Sequence, residues 1–291
     1  MRERLKVFLL GIPDSPIELE RGVAMIREPA VAGFFYPGDP NSLQHVVESF
    51  LQKPDRSYEA EAIVAPHAGY VYSGGVAGAV YSSVELPKRF VMLGPNHTGL
   101  GAPLSIYPDG VWRTPLGLAS IDAELTELLE RECPALREDR LAHAREHSIE
   151  VQIPFLQVRV AEFSFAAICV GTGNYSSLEE LGHALARARR RTPEPVLIIV
   201  SSDMNHYESA EVSANKDRCA IDQVLALDPA GLYRVVREKD ISMCGFAPAV
   251  AALIACRDLG ATQGHLIRYA NSGNVSGDFD RVVGYAGMVI N

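Results

Sequence analysis

Histidine and aspartate residues follow three separate apolar runs in this sequence of 291 residues. His67 follows AIVAP, His97 follows FVMLGPN, and Asp203 and His206 lie at the end of VLIIVSSDMNH. The runs are typical of buried strands, and the carboxyl ends of parallel strands meet at one edge of a sheet, where α/β proteins bind ligands. Imidazole and carboxylate groups bind transition metals and transfer protons. We therefore predict one shared site, although any single histidine could simply cap a turn.

A metal ion is the natural occupant of such a cluster. Two histidines and one anionic ligand, with open positions, form the arrangement of non-haem iron oxygenases. The third ligand could be Asp203 or Cys244, which lies at a predicted turn in MCGFAP. A thiolate would favour copper, zinc or iron. Neither HExxH nor CxxC occurs, so this prediction depends on the placement of the residues and not on a short motif.

His147 and Glu150 form a second candidate pair in EHSIEVQIPFL. They are three residues apart on a predicted helix over 146–158, where a carboxylate can orient an imidazole. The alternative is a structural role, since Glu146 and Glu150 would suit the positive end of a helix dipole. The sequence alone favours neither the orienting role nor the structural role.

Four further residues are weaker candidates for lining a pocket. Trp112 and Arg113, in a predicted loop over 108–119, could contact a substrate or could fix the loop to the body of the protein. Tyr70 follows the His67 turn and could equally pack in the core. Asn271 lies in the glycine-rich turn YANSGNVSGD, which could bind an anion. The remaining histidines have polar or helical surroundings and are predicted at the surface: His45, His143, His183 and His265.

Apolar runs alternate with helical patterns along most of the chain. Continuously apolar strands are typical of a central sheet covered on both faces, so we predict a single-domain, three-layer α/β/α sandwich around a mixed, largely parallel sheet. The predicted strands cover 62–66, 90–95, 103–108, 163–171, 196–203, 264–273 and 281–290. The predicted helices cover 41–52, 75–83, 122–131, 146–158, 177–190, 211–226 and 246–259.

Composition excludes several classes of protein. A formal net charge of -9 argues against binding to nucleic acid or to an anionic membrane surface. No apolar run approaches the roughly 20 residues that span a bilayer. The five cysteines are widely spaced, which indicates a reduced, cytoplasmic protein. Since GxGxxG and GxxxxGK[ST] are absent, no nucleotide cofactor is expected.

The first 24 residues differ from the rest. Leu-Glu-Arg-Gly, which a purine-rich sequence resembling a ribosome-binding site can encode, precedes Met25 by a few codons. We therefore expect Met25 to be the true start, residues 1–24 to be an extension produced by a misassigned start site, and residues 25–291 to form the domain.

Several of these segments together resemble the Memo family. They occur in that family's order from about residue 27 to the C-terminus: REPAVAGFFYPGDP, APHAGYVYSG, GPNHTG, EHSIEVQIPFLQ, SSDMNHY, MCGFAP and YANSGNVSGD followed by VVGYA. The resemblance implies a fold similar to that of class III extradiol ring-cleaving dioxygenases. It places the metal ligands at His67, His97 and Cys244, and it places His206 where those enzymes have their catalytic base. Asp203 matches a further pocket residue.

A cysteine stands where the dioxygenases have a carboxylate ligand. Because a thiolate changes the potential of iron and can itself be oxidised, this difference weakens the expectation of ring cleavage. The resemblance implies Fe(II) or Cu as the cofactor. It also implies radical-SAM and AMMECR-type proteins as partners.

Three functions follow as alternatives. The first is a metal-dependent redox enzyme acting on a small, aromatic or phenolic substrate, with His206 as general base and Asp203 orienting a ligand or a bound water molecule. The second is a module that binds a peptide or protein in the same cleft, and the third is a metal-sequestering protein. A domain of this class and size often forms a homodimer.

Overall fold

The computed structural model describes residues 25–54 and 56–291, so the predictions for residues 1–24 lie outside the described residues. The described part contains a mixed sheet of twelve strands. The strands are β1 (Ile26–Arg27), β2 (Ala62–Ala65), β3 (Arg89–Pro95), β4 (Leu104–Ile106), β5 (Val111–Thr114), β6 (Gly117–Ile121), β7 (Arg137–Glu138), β8 (Ser164–Val170), β9 (Val196–Ser201), β10 (His206–Glu208), β11 (Gly264–Asn271) and β12 (Val282–Ile290).

Ten α-helices and one short 3-10 helix (Glu150–Gln152) accompany the sheet in the described residues. Side chains of Asp39, Asp122, Asn174, Ser209 and Asp228 cap five of the helices by accepting backbone N–H groups, as these residue types favour. The helices are α1 (Pro40–Phe50), α2 (Tyr70–Ser82), α3 (Ala123–Glu132), α4 (Leu141–Ala144), α5 (Ile153–Arg159), α6 (Tyr175–Arg191), α7 (Ala210–Leu225), α8 (Pro229–Glu238), α9 (Phe246–Leu259) and α10 (Gly273–Ser276).

Five parallel strands form the centre of the sheet, in the order β6, β8, β3, β9 and β2. Antiparallel strands extend both sides: β5 pairs with β6, and β12 pairs with β2, β10 and β11. Strands β2, β3, β8 and β9 are buried almost throughout, which explains their continuously apolar sequences. Their carboxyl ends lie along one edge of the sheet.

Two hydrophobic cores lie on opposite faces of the sheet. Successive residues of β3 alternate between them, with Val91 and Leu93 in one core and Phe90 and Met92 in the other, as the two-residue period of a strand requires. The first core also contains residues of α3, α6, α7, α8 and α9, and the second contains residues of α1, α2 and α5. The predicted single α/β domain with three layers is confirmed.

Three local predictions were wrong. Residues 108–119 contain β5 and the start of β6 instead of a long loop. The helix predicted over 146–158 is a turn and a 3-10 helix followed by α5, because Pro154 occupies the first turn of α5 and its ring would clash with an earlier helical carbonyl. The third error is an omission, since no helix was predicted where α8 lies. None of the helices in the described residues is long and apolar enough to cross a membrane.

Candidate metal centre

The side chains predicted to share a site come from the carboxyl ends of three central strands. His67 follows β2, His97 follows β3, and Asp203 follows β9. His206 begins β10, and Cys244 lies in the turn before α9. The parallel centre of the sheet therefore brings together residues that are far apart in sequence.

His67, His97 and Cys244 each offer one ligand atom, and these three atoms lie within 4.8 Å of one another. His67 Nε2 lies 3.2 Å from Cys244 Sγ. The two imidazole rings are nearly perpendicular, with centroids 5.1 Å apart. The His67 residue is only 2% exposed, whereas the His97 side chain is 33% exposed. The cluster is therefore buried at one end and open to solvent at the other.

Glu146 fixes the orientation of His97. Its carboxylate lies 2.9 Å from His97 Nδ1 and accepts the backbone N–H groups of His97, His147 and Ser148. Burial alone would raise the pKa of Glu146, but these hydrogen bonds, led by the one to the His97 ring, lower it to about 2. Because an ionised carboxylate only accepts hydrogen bonds, His97 carries its proton on Nδ1, and Nε2 is free to bind a metal.

The sequence left the role of Glu150 open between orienting His147 and a structural contact. Its carboxylate binds Arg27, the hydroxyl of Tyr36 and the backbone N–H groups of the 30–31 segment, which is the structural alternative. Glu146 was interpreted only as a residue suited to a helix dipole. Its position beside His147 was the available signal, but a single sequence does not show which ring it faces.

His147 lies against both candidate histidine ligands. Its ring stacks on His97, with centroids 4.8 Å apart and planes inclined by 16°, and meets His67 edge-on at 5.5 Å. On its other side it contacts Phe35 at 4.8 Å. Burial lowers the pKa of His147, so a neutral ring covers the cluster.

Asp203 holds the backbone that carries His67. Its Oδ1 accepts the N–H groups of His67 at 2.7 Å and of Ala68 at 3.2 Å. The N–H of Asp203 in turn lies 3.2 Å from Cys244 Sγ. Burial raises the pKa of Asp203 to about 7 and raises the pKa of the Cys244 thiol well above its usual range. The thiol is therefore protonated without a metal, and metal binding would release its proton.

His206 has one ring nitrogen available for proton transfer. Its Nδ1 lies 3.0 Å from the carbonyl oxygen of Ser242, which can only accept, so the proton is on Nδ1 and Nε2 carries the lone pair. Burial lowers the pKa of the ring. The next residue, Tyr207, has a left-handed φ of 62°, a strained conformation that is concentrated at functional sites.

The other predicted pocket residues have structural contacts. The hydroxyl of Tyr70 donates to the carbonyl of Val151 at 2.6 Å, and its ring packs in the second core. Asn271 ends β11, where its backbone N–H donates to Asn274 at 2.8 Å. Neither residue is one of the three candidate ligands.

Trp112 and Arg113 were predicted either to contact a substrate or to fix their segment to the body of the protein. Their contacts are of the second kind. Trp112 is 1% exposed and lies beneath the guanidinium of Arg27, 4.3 Å from the ring centroid. Arg113 points to the surface and pairs with Glu28. Because they are neighbours on β5, their side chains lie on opposite faces.

His143 was predicted at the surface but is fully buried. Its ring packs against Tyr107 and Trp112. Burial lowers its pKa to about 4, so it is neutral. The charged residues on both sides of the LAHA segment gave no indication of this burial.

Comparison with known proteins identifies the family. A family profile described as Memo-like protein matches residues 27–289. This chain belongs to the Memo family. A MEMO1 family protein of Methanopyrus kandleri is 41% identical over 279 residues, covering 91% of this chain and 99% of the relative. Another, from Aquifex aeolicus, is 42% identical over 267 residues, covering 91% and 98%. The resemblance drawn from the sequence motifs is confirmed.

Comparison with solved structures supports the fold. An uncharacterized protein of Escherichia coli K12 aligns with this Memo family chain at a TM-score of 0.53 and 12% sequence identity. The alignment covers 79% of this chain and the whole of the other. At that identity the match supports the single α/β fold and carries no information on function.

Proposed function

We propose that this Memo family protein binds a redox-active transition metal, Fe(II) or Cu, through His67, His97 and Cys244. It would use the metal for oxidation or reduction of a small aromatic or phenolic substrate. The observation that carries this proposal is the juxtaposition of three ligand atoms within 4.8 Å. Two imidazole nitrogens and one sulfur suit iron and copper.

The surroundings of the three ligands support the assignment. A carboxylate that accepts the second ring N–H of a metal-bound histidine is a common feature of metal sites, and Glu146 accepts from His97 Nδ1 in this way. Burial keeps His67 neutral by lowering its pKa well below the usual range, so its Nε2 can bind without first losing a proton.

The proposal gives distinct tasks to the residues around the metal. The bound metal would supply electron transfer and Lewis acidity. His206 would accept a proton from a substrate hydroxyl at Nε2, because its Nδ1 is occupied by the Ser242 carbonyl. Asp203 would hold the backbone at His67, a task that differs from the predicted orientation of a substrate ligand or water. His147 would shield the cluster on one side.

An apolar groove favours a second candidate, binding of a peptide or protein. The groove has a volume of about 420 Å³ and is lined in part by Phe34, Phe35 and Val71. Phe34 is 89% exposed, and Phe35 contacts His147, so the groove adjoins the candidate metal centre. Radical-SAM and AMMECR-type proteins remain the proposed partners. Metal sequestration would differ from the redox function by the absence of turnover.

The test is the metal content of protein purified without oxygen, measured by mass spectrometry. We expect about one iron or copper per chain, lost in His67→Ala, His97→Ala and Cys244→Ser. Cys219→Ser is the matched control, since Cys219 lies on α7 and is not in the candidate ligand cluster. Wild-type protein that is empty and does not take up added Fe(II), Cu(I) or Zn(II) would overturn the proposal and favour the binding module.

A further inference from the structure

We infer that Ser201 and Gln152 are positioning residues for His67, which hold the proton of its ring on Nδ1 and leave Nε2 facing Cys244. The effect on metal binding depends on the proposed function, but the position of the proton does not. Neither Ser201 nor Gln152 was a candidate from the sequence. Both are buried and 1% exposed.

The hydroxyl of Ser201 has three polar neighbours and one hydrogen. The Ser148 carbonyl oxygen lies 2.6 Å away, Gln152 Nε2 lies 2.8 Å away and His67 Nδ1 lies 3.0 Å away. The Ser148 carbonyl only accepts, so at this distance the hydroxyl hydrogen must lie between the two oxygens. Ser201 therefore donates to Ser148 and accepts from the other two groups.

The orientation of the Gln152 amide follows from the same reasoning. Its Nε2 lies 3.0 Å from the carbonyl oxygen of Pro66, and its Oε1 lies 3.0 Å from the hydroxyl of Tyr81. Exchanging the two amide atoms would place oxygen against oxygen at Pro66, which is unfavourable. Gln152 Nε2 must therefore donate to both Pro66 and Ser201.

These bonds determine the tautomer of His67. Ser201 has already used its only hydrogen on Ser148, so the contact at Nδ1 is a hydrogen bond only if His67 supplies the proton. A neutral imidazole has one N–H, and Nε2 is then the atom with the free lone pair. That atom is the one 3.2 Å from Cys244 Sγ.

One short segment braces both histidine ligands. We call residues 146–152 the bracing segment: its Glu146 carboxylate orients His97, and its Ser148 carbonyl and Gln152 amide orient His67 through Ser201. The guanidinium of Arg27 holds this segment by donating to the Glu146 carbonyl and the Glu150 carboxylate. Both candidate metal-binding nitrogens are thus set by the same part of the chain.

Ser201→Ala tests the inference because it removes the only acceptor for His67 Nδ1–H in the described structure. The ring is then free to carry its proton on Nε2, where it would point toward Cys244 Sγ and compete with a metal. Loss of such an outer partner typically weakens metal affinity by about 10- to 100-fold. Ser105→Ala is the matched control, since Ser105 is also fully buried and donates to a carbonyl, that of Ala102.

The first measurement is ¹⁵N NMR of the imidazole nitrogens in metal-free protein labelled at histidine. The His67 signals are identified by their loss in His67→Gln. We expect the Nδ1–H form in wild type and in Ser105→Ala, and a shift toward the Nε2–H form in Ser201→Ala. Wild-type His67 in the Nε2–H form, or a tautomer that does not change in Ser201→Ala, would overturn the inference. If Ser201→Ala does not fold, the wild-type spectrum still tests the inference, because it shows which nitrogen of His67 carries the proton.

The second measurement is Zn(II) affinity, determined by competition with a chromophoric chelator. We expect Ser201→Ala to bind about 10- to 100-fold more weakly than wild type and Ser105→Ala to match wild type. Equal affinities of wild type and Ser201→Ala would overturn the role of Ser201 in metal binding. Failure of wild type to bind any metal would count against the proposed function alone, since the NMR result does not depend on it.

Discussion

Glu146 is a buried side chain with four hydrogen-bond donors around it, three of them backbone N–H groups. Replacing it by glutamine keeps the shape but turns an NH₂ group toward donors. We expect Glu146→Gln to lower the free energy of unfolding by about 2–4 kcal/mol, since hydrogen bonds to a charged group are strong and leave unpaired groups when lost. Urea denaturation followed by circular dichroism measures this change.

Glu124→Gln is the control for that variant, because Glu124 is an exposed acidic residue on α3. Its unfolding free energy should stay within about 0.5 kcal/mol of wild type. Equal stability of Glu146→Gln and wild type would show that the carboxylate charge does not hold this segment together.

Two of the candidate ligands have a local signal in the sequence, whereas the third stayed open between Asp203 and Cys244 until the resemblance to the Memo family favoured Cys244. His67 and His97 follow apolar runs, and Cys244 lies in a turn motif. Ser201 and Gln152 have no such signal, because their roles depend on which carbonyl groups they face in the folded chain. Gln152 donates to Pro66, which is 86 positions earlier in the sequence.

Helix α2 contains three glycines, and two of them differ sharply in their surroundings. A Cβ atom at Gly78 would lie 2.5 Å from the carbonyl oxygen of Phe50, whereas one at Gly75 would meet nothing closer than 4.0 Å. We expect Gly78→Ala to destabilise the protein by about 1–3 kcal/mol through overpacking. Gly75→Ala should stabilise it by about 0.5–1 kcal/mol through helix propensity.

The two variants control each other, because both make the same change on the same helix. Urea denaturation of each protein gives the two differences in unfolding free energy. Effects of the same sign would contradict the close packing of α1 against α2 at Phe50.

This packing also explains why the start of α2 was predicted five residues late. Its glycines weaken the helical signal, and its first turn begins at Tyr70 without a side-chain cap. Close contact with α1 requires small residues there, and a pattern based on propensity cannot show a requirement imposed by another helix.

The layered architecture of the molecule could be predicted from the sequence because β2, β3, β8 and β9 are buried on both faces. Continuously apolar runs gave β2, β3, β8 and β9 within one or two residues at each end. The hairpin β5–β6 was missed because its strands alternate between buried and exposed positions beside turn residues. A short edge strand of that kind has a weak signal.

The pH dependence of stability should contain a contribution from Asp217. This buried carboxyl accepts from the Tyr269 hydroxyl and the Asn205 N–H, and burial raises its pKa to about 6. In the unfolded chain its pKa is about 3.9, so between about pH 4 and 6 the folded state binds more protons. Stability from this group is therefore present at low pH and is lost as the pH rises through that window.

Asp217→Asn should remove this loss, because asparagine stays neutral and can still accept from Asn205. We expect the variant to gain about 2–3 kcal/mol relative to wild type between pH 4 and pH 7. Urea denaturation of both proteins across that range measures the difference. Asp222→Asn, at a partly exposed site on the same helix, is the control, and its unfolding free energy relative to wild type should not rise across this pH range. A difference between Asp217→Asn and wild type that does not change with pH would contradict the role given to Asp217.

The candidate ligands are far apart along the chain, since His67 and Cys244 differ by 177 in residue number. During synthesis a ribosome releases both histidines long before the cysteine. The nascent chain therefore cannot assemble all three ligands until most of its length has emerged. If the centre binds metal as proposed, metal ions in the cell would meet the complete set of candidate ligands only on a nearly finished polypeptide, and loading would be one of the last steps in producing the protein.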